Sequence, residues 1–552
     1  MDSPGIIPIC GNILPLLETS WGTEVDANAS TKKWIAVLLL FLVAVAPSTL
    51  AQNWPIRAQG RYFVESTGTP WIMVGDNSGY NLIAYETMAN IDNYFADRSA
   101  HGFTAVWMNV ILGTQSQTSD SAVLYDGTPP FTSPSPGTAE TYNFATPNAA
   151  YWAEIDTLVS HAASHGLVIA MIPFETGLTY QNCPASDPSG AKGWLIAARN
   201  QSTIQGGSVT NNQAMFNYGV FLGNRYKNST NVIWVLGYDF QTNICTTGVA
   251  ANDSTLVANL IAGINSVDPN HIVSEELNFN FSYTTQNSSI GPYVTANGVY
   301  TYGGLYDEIL AAYNNIAIPA FLVEGNWEFQ NNTGALSPWP VSDNNPPCGT
   351  SSPPCPAMDN TTYAKAMRLQ WWWTMTSGGA GFFYGNPYGS NVNGVVPGSW
   401  WPSTGLDTAA IGQLGYVTKF FAGILWQSLV PDQTHQVVTA GYGTYCGSTS
   451  SCLNQLSNNY VTTAWNPNGS LAVIYNPQGN ALTVDMNRFA GPVTAYWYDP
   501  TKGTYTVITG SPFTNSGSHF FSTPGTNSVG LNDWVLLLTA SSGAPRLSLR
   551  RS

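Results

Sequence analysis

The chain has 552 residues, which at the usual ~100–200 per domain allows two domains or one large barrel with an appendage. Hydrophobic residues make up 44 % and aromatics 12 %, which excludes a disordered chain. Charged residues are only 9 %, far below the roughly 25 % of an average soluble protein, so neutral Asn, Ser, Thr and Gly must dress the surface. A net charge of −15 argues against nucleic acid or an anionic membrane as partner.

Near the start, Lys32 and Lys33 precede the apolar run Trp34–Ala46, followed by Pro47-Ser48-Thr49-Leu50-Ala51. A basic n-region, a short apolar core and small residues before a cut after Ala51 read as a secretory signal. Residues 1–51 are therefore expected to be removed, with Met1–Ser30 an extension ahead of the true start, and the mature protein to be secreted, extracellular or periplasmic. The apolar run is shorter than the ~20 residues of a spanning helix, so no membrane is expected as partner after cleavage. Of seven cysteines, Cys10 falls in the discarded segment. The rest read as disulfides, with Cys348/Cys355, Cys446/Cys452 and Cys183/Cys245 paired by proximity. No CxxC spacing or histidine partner supports zinc, and neither metal nor cofactor is expected. Sequons at Asn200, Asn228 and Asn280 are no more than an Asn- and Ser-rich chain supplies by chance.

From Trp71 to about Phe421, short apolar runs alternate with amphipathic stretches. The runs are 71–75, 104–110, 167–173, 232–237, 272–276, 299–302, 320–324 and 381–385, each bounded by turn residues as a buried strand is. Helix-like stretches lie between them at 87–100, 148–165, 213–227, 254–267, 305–313, 363–377 and 408–420. That order predicts an α/β fold, a (β/α)8 TIM barrel over 52–430. A doubly wound sheet would want a Gly-rich phosphate loop after the first strand, and Gly75-Asp76-Asn77-Ser78-Gly79 is not one. After Pro431 the helical period vanishes. Alternating runs at 460–465, 471–475, 482–485, 493–498, 504–508 and 534–538, separated by Asn-Pro and Asp-Pro turns, predict a small antiparallel β-sandwich over 431–540. Residues 541–552 read as a frayed tail.

A barrel carries its reactive groups at the C-terminal ends of the strands. Reading only those ends gives Asp76, Glu175, Asp239, Glu275, Glu276, Glu324 and Glu328. Asp239 and Glu324 stand apart, each closing an apolar strand, the fourth and the seventh. Glycosidic cleavage needs two carboxyl groups facing one scissile bond, one donating a proton and the other attacking the anomeric carbon. Their pKa values must be pushed apart, and burial against Trp234, Trp327 or Tyr302 is a means of raising the donor. Asp76, Asn109, Glu175, Tyr302, Trp327, Glu328 and Tyr384 are the candidates for holding sugar. Trp371-Trp372-Trp373 lies on a helix and reads as packing. No histidine is placed for a Ser-His-Asp site.

These residues carry a resemblance. Gly60-Arg-Tyr-Phe-Val-Glu65, Gly68–Asp76, Tyr94–Arg98 with Gly102-Phe103, Trp234–Asp239, Glu324 to Glu328 and Trp371–Gly385 resemble the apiosidase-like glycoside hydrolases, glycoside hydrolase family 140. Tyr496–Pro500 with Gly503, and Asp533–Leu536, are similar to the collagen-binding-type sandwich that often follows that barrel. The resemblance spans roughly Trp54–Thr539. It implies a clan A-like barrel, Asp239 as acid/base, Glu324 as nucleophile, and a retaining hydrolase of plant or microbial polysaccharide, with pectin side chains the family's best-known substrate. The chain departs from the family's usual pattern at Tyr238, where a second Gly is common, and at Asn77-Ser-Gly-Tyr80-Asn81. Two other readings compete. One is a non-catalytic carbohydrate-binding or adhesive protein on a degenerate barrel, which has no need of both acids. The other is a clan A-like glycosidase of different sugar specificity.

Overall fold

The computed structural model describes residues 53–79, 81–111, 123–173, 194–240, 253–277, 282–328, 360–386, 408–447 and 455–540, with Tyr238, Asp239 and Asn360 described by backbone alone. The expected signal segment, residues 541–552 and Glu175 lie outside the described residues, as do Cys183, Cys245, Cys348, Cys355 and Cys452. Cys446 is described and is disulfide-bonded. No helix among the described residues is long and apolar enough to cross a membrane.

Eight strands, most of them apolar runs, form the first layer: β1 (Met73–Asp76), β2 (Ala105–Asn109), β3 (Val168–Ile172), β4 (Val232–Phe240), β5 (Val273–Leu277), β6 (Asn297–Tyr300), β7 (Ala320–Glu324) and β8 (Gly381–Tyr384). Runs such as VIAMI bury every residue because both faces are covered, as in a parallel sheet flanked by helices. The strands follow one another as β5-β4-β3-β2-β1-β8-β7-β6, and every ladder between these neighbours is parallel. That order is a TIM barrel and excludes the doubly wound alternative. The β5–β6 seam lacks a regular ladder. Instead the Gly298 N–H donates to Ser274 Oγ (3.0 Å) and Thr284 Oγ1 (2.9 Å), while Thr295 N donates to Val273 O (2.8 Å).

The helices sit close to where the spacing places them, at Met88–Ala100, Ala149–Ser164, Asn211–Tyr226, Asp253–Val267, Leu305–Asn315, Asn360–Thr376 and Ala409–Ala422. Thr87, Asn148, Thr210 and Thr408 cap four of them by accepting a backbone N–H. The helices flanking β4 touch backbone to backbone: a Cβ on Gly219 would lie 2.1 Å from Leu260 O, and one on Gly263 2.1 Å from Phe216 O. One helix, Trp194–Ile204, escapes the sequence reading because polar Arg199-Asn-Gln-Ser-Thr203 breaks its apolar period. Gln201 is nonetheless buried, bonding Phe144 N and Tyr142 O. A three-stranded sheet, Arg57–Gln59, Tyr62–Val64 and Pro70–Trp71, also precedes the barrel.

The C-terminal region forms a six-stranded and a three-stranded antiparallel sheet, adding Val430–Pro431, Val438–Ala440 and Ser518–Phe521 to the predicted strands. Its central strands bury both faces. Ala472, Ile474, Leu536 and Leu538 face the other sheet, while Leu471, Val473, Tyr475, Val535 and Leu537 join the barrel core. The Trp triplet is packing, as expected: Trp371 stacks on Phe382 at 5.6 Å, Trp372 on Tyr475 at 5.7 Å, and Trp373 meets Tyr306 edge-on at 5.3 Å. Within this contact Arg368, fully buried, donates to both oxygens of Asp533 (2.9 and 2.8 Å) and to Gln413. Removing one partner of such a pair strands a buried charge. Arg368→Met is expected to lower unfolding free energy by about 3–5 kcal/mol in urea titrations, and an Arg368→Met/Asp533→Asn double variant to lose less than the sum of the single changes.

Candidate active site

Among the described side chains, Asp76, Asn109, Glu324 and Tyr384 close barrel strands, and Tyr302, Trp327 and Glu328 follow β6 and β7. Glu324 ends β7, and its Oε1 accepts from Tyr300 Oη at 2.7 Å, with Tyr302 Oη at 3.3 Å. The two phenols lie 2.6 Å apart, oxygen to oxygen. Each phenol has one hydrogen, so Tyr300 donates to the carboxylate while Tyr302 donates to Tyr300 or to Glu324. Of the predicted catalytic and sugar-holding residues whose side chains are described, Glu324 is half-buried and the others are buried. Tyr300 was missed by the sequence reading, although its i, i+2 spacing to Tyr302 puts both on one side of an extended chain.

The loop after Glu324 is held from behind. The Gln370 side chain accepts from Asn326 N (2.7 Å) and donates to Asn326 O (2.9 Å). A Cβ on Gly325 would sit 2.1 Å from Gln370 Oε1, so this clamp requires glycine there. Asn326 Nδ2 donates to Tyr302 O (3.1 Å), and buried Gln455 donates to Tyr302 O (2.7 Å) and Gly303 O (2.8 Å). Gln455 comes from the C-terminal region, so that region fixes the segment carrying Tyr302. Gln455→Leu is expected to lower turnover about tenfold, the equivalent of roughly one lost hydrogen bond, with little change in melting temperature. Unaltered kinetics would show the contact to be incidental.

Asp239 lies on β4, three places from β7 around the ring, and its side chain lies outside the described atoms. Just before it the β4–β5 register shifts between Gly237 and Phe240, with Gly237 at φ +108°. A Cβ on Gly237 would come 2.4 Å from Glu276 O. Such a bulge redirects the strand end. Trp234 does not reach this end: its indole donates to Asp268 Oδ2 (3.0 Å) and meets Tyr226 edge-on, in the helix layer. That corrects its expected part in tuning the donor. Glu275 is fully buried, with neither carboxyl oxygen hydrogen-bonded, and burial pushes it well above the usual carboxylate range.

A second group forms at β1, β8 and the loop after β7. Trp327, 6 % exposed, packs over Gly385, where a Cβ would strike its indole at 2.5 Å. Glu328 accepts from Tyr384 Oη and from Thr408 Oγ1 (2.8 Å), and Asn386 Nδ2 donates to Tyr384 Oη (3.1 Å). Burial, reinforced by the adjacent Glu328, holds the Tyr384 phenol protonated. Asp76 and Asn109 lie beneath this group. Asp76 is engaged by Arg98 (3.1 Å) and Ser78 N (2.7 Å), and Asn109 Oδ1 by Trp107 Nε1 (3.1 Å). Both are 0 % exposed, each held by the partners just named. Burial alone would depress Arg98, but Asp76 and Asp97 more than reverse that and keep it charged. Thr408 and Asn386 carried no sequence signal, because each is defined only by what it meets across the fold. No group of three or more His, Cys, Asp or Glu among the described residues is arranged to hold a metal ion.

Burial pushes Glu328 from 4.5 up to about 7, against the lowering effect of Tyr384, Thr408 and Arg98. Between those two values the folded chain keeps a proton that the unfolded chain has released. The contribution to stability is therefore full below about pH 4.5 and lost as pH rises through about 7. Glu328→Gln is expected to flatten the fall in stability across this window by on the order of 3 kcal/mol, read from urea unfolding at a series of pH values. Parallel curves for variant and parent would contradict the assignment.

The family model described as "Apiosidase-like, catalytic domain" matches residues 57–428, and one described as "Putative collagen-binding domain of a collagenase" matches 451–539. Among solved structures, one titled glycoside hydrolase is similar at 18 % identity and TM-score 0.65, covering 89 % of this chain and 98 % of its own. A glycoside hydrolase family 5 protein from Bacteroides vulgatus is similar at 18 % identity and TM-score 0.64, covering 89 % and 94 %. No curated protein matches the chain.

Proposed function

The chain belongs to the family of apiosidase-like catalytic domains and is a glycoside hydrolase, and from that premise we propose that it cleaves plant or microbial polysaccharide with retention of configuration, Glu324 acting as nucleophile and Asp239 as acid/base. The observation that carries the reading is the state of Glu324. It is a solvent-reaching carboxylate at the end of a barrel strand, its Oε1 fixed by the Tyr300 and Tyr302 phenols. A nucleophile needs that combination of access and fixed aim.

In the first step a Glu324 oxygen bonds the anomeric carbon as the glycosidic C–O bond breaks, and Asp239 gives its proton to the departing oxygen. In the second, Asp239 takes a proton from water, which attacks the same carbon and releases Glu324. The Tyr300 hydroxyl holds the carboxylate during both steps. Pectin side chains belong to the proposal as a substrate on the strength of the motif resemblance in the sequence alone. Secretion is part of the proposal and rests on Lys32–Ala51 together with the cysteine content.

Glu324→Gln is expected to abolish nearly all turnover with the fold intact by circular dichroism. Asp239→Ala should depress hydrolysis of natural glycans far more than that of aryl glycosides, whose leaving groups need little protonation. Equal losses on both substrate types would remove Asp239 from the acid/base role. Product anomers followed by NMR at early times test retention directly.

A further inference from the structure

A cavity of about 170 Å³ opens at the other end of the barrel, where the C-terminal region meets it. Its walls come from the segments entering β7 and β8 (Tyr313 and Gly378), the short N-terminal sheet (Arg61 and Tyr62) and the barrel-to-sandwich connection (Trp426 and Gln427). At ~30 Å³ per liquid water, that volume takes several waters or one small ring.

Three features give the cavity a chemistry. The first is charge. Arg61 lies over the Tyr313 ring at 4.0 Å and donates from one terminal nitrogen to the carbonyls of Tyr313 and Ile316. No carboxylate among the described residues pairs with it, whereas Arg98, Arg199, Arg225, Arg368 and Arg488 each pair with an aspartate. In a chain of net charge −15, an arginine held by neutral carbonyls is a cation left for an anion from outside. The second is shape: Tyr62 and Trp426 meet edge-on at 6.2 Å, and both rings line the hollow. Aromatic walls with polar edges suit the apolar face of a sugar ring. The third is the Gln427 amide, half-buried on the wall with no hydrogen-bond partner among the described residues.

We propose that this cavity is a second carbohydrate site, remote from Glu324, that takes a carboxylated sugar residue, with Arg61 receiving the carboxylate, Tyr62 and Trp426 the ring, and Gln427 a hydroxyl. The choice of a sugar as the bearer of the carboxylate rests on the chain being a glycosidase, but the site does not depend on which residues catalyse.

The test is direct binding to the full chain by calorimetry and saturation-transfer NMR, with D-glucuronate, D-glucose and acetate as probes. D-Glucuronate is expected to bind at least tenfold more tightly than either of the others. Arg61→Gln should bring it within twofold of glucose. Because Arg61 also holds two backbone carbonyls, Gln427→Ala is the second variant and should weaken D-glucuronate threefold or more at an unchanged melting temperature. The Glu324→Gln variant should bind like the parent, which separates this site from the catalytic rim whatever the outcome for turnover. Equal binding of acid and neutral sugar, acetate binding as tightly as D-glucuronate, loss of binding in Glu324→Gln, or indifference to both Arg61→Gln and Gln427→Ala would each overturn the proposal.

Discussion

One helix, Asn360–Thr376, is buried on nearly every side, and the rest of the molecule is arranged around that burial. Its consecutive residues serve different neighbours. Arg368 reaches Asp533 in the C-terminal region, Gln370 clamps the backbone just past Glu324, Trp371 covers β8 and Trp372 lies on Tyr475. A guanidinium at 0 % exposure is tolerable only with its hydrogen bonds made. Asp533 is in turn held by Asn527 Nδ2 at 2.9 Å. The register of this helix therefore couples the position of the C-terminal sheet to the position of the Glu324 loop.

The scarcity of charge makes the treatment of each carboxylate informative. Asp76 and Asp533 are neutralised by arginines, Glu275 is buried without a hydrogen bond, and Glu328 is buried among hydroxyls. Glu324 is handled differently, with phenols on one oxygen and a path to solvent. Desolvation penalises an isolated carboxylate, and hydroxyl donors offset only part of that penalty. Among the rim acids whose side chains are described, Asp76, Glu275 and Glu328 are buried and Glu324 is half-buried.

Much of this was legible beforehand. The strand runs of the barrel, most of its helices and the packing role of Trp371–Trp373 follow from periodicity, because a strand covered on both faces is mostly apolar. The position of Glu324 at the end of β7 was legible from the apolar run that it closes. Asp76 and Asn109 show what strand-end position alone leaves open. They sit at strand ends too, yet Arg98 and Trp107 reach them first, and no local pattern announces a partner 22 residues away for Asp76. Gln201 marks the converse, a polar residue buried in a helix because a distant loop offers its backbone.

By itself the sequence determined the order of elements, the change from helical to strand periodicity after Pro431, and the short roster of groups able to do acid–base or nucleophilic chemistry. These depend on spacing along the chain, which local sterics and solvent fix. Only the tertiary structure decided that Tyr300 joins Tyr302 on Glu324, that Gln370 and Gln455 hold the loops behind them, and that the central sandwich strands lie against the barrel core. Those outcomes depend on contacts between residues far apart in the chain, where burial and hydrogen-bond partners are set by neighbours that only folding brings together.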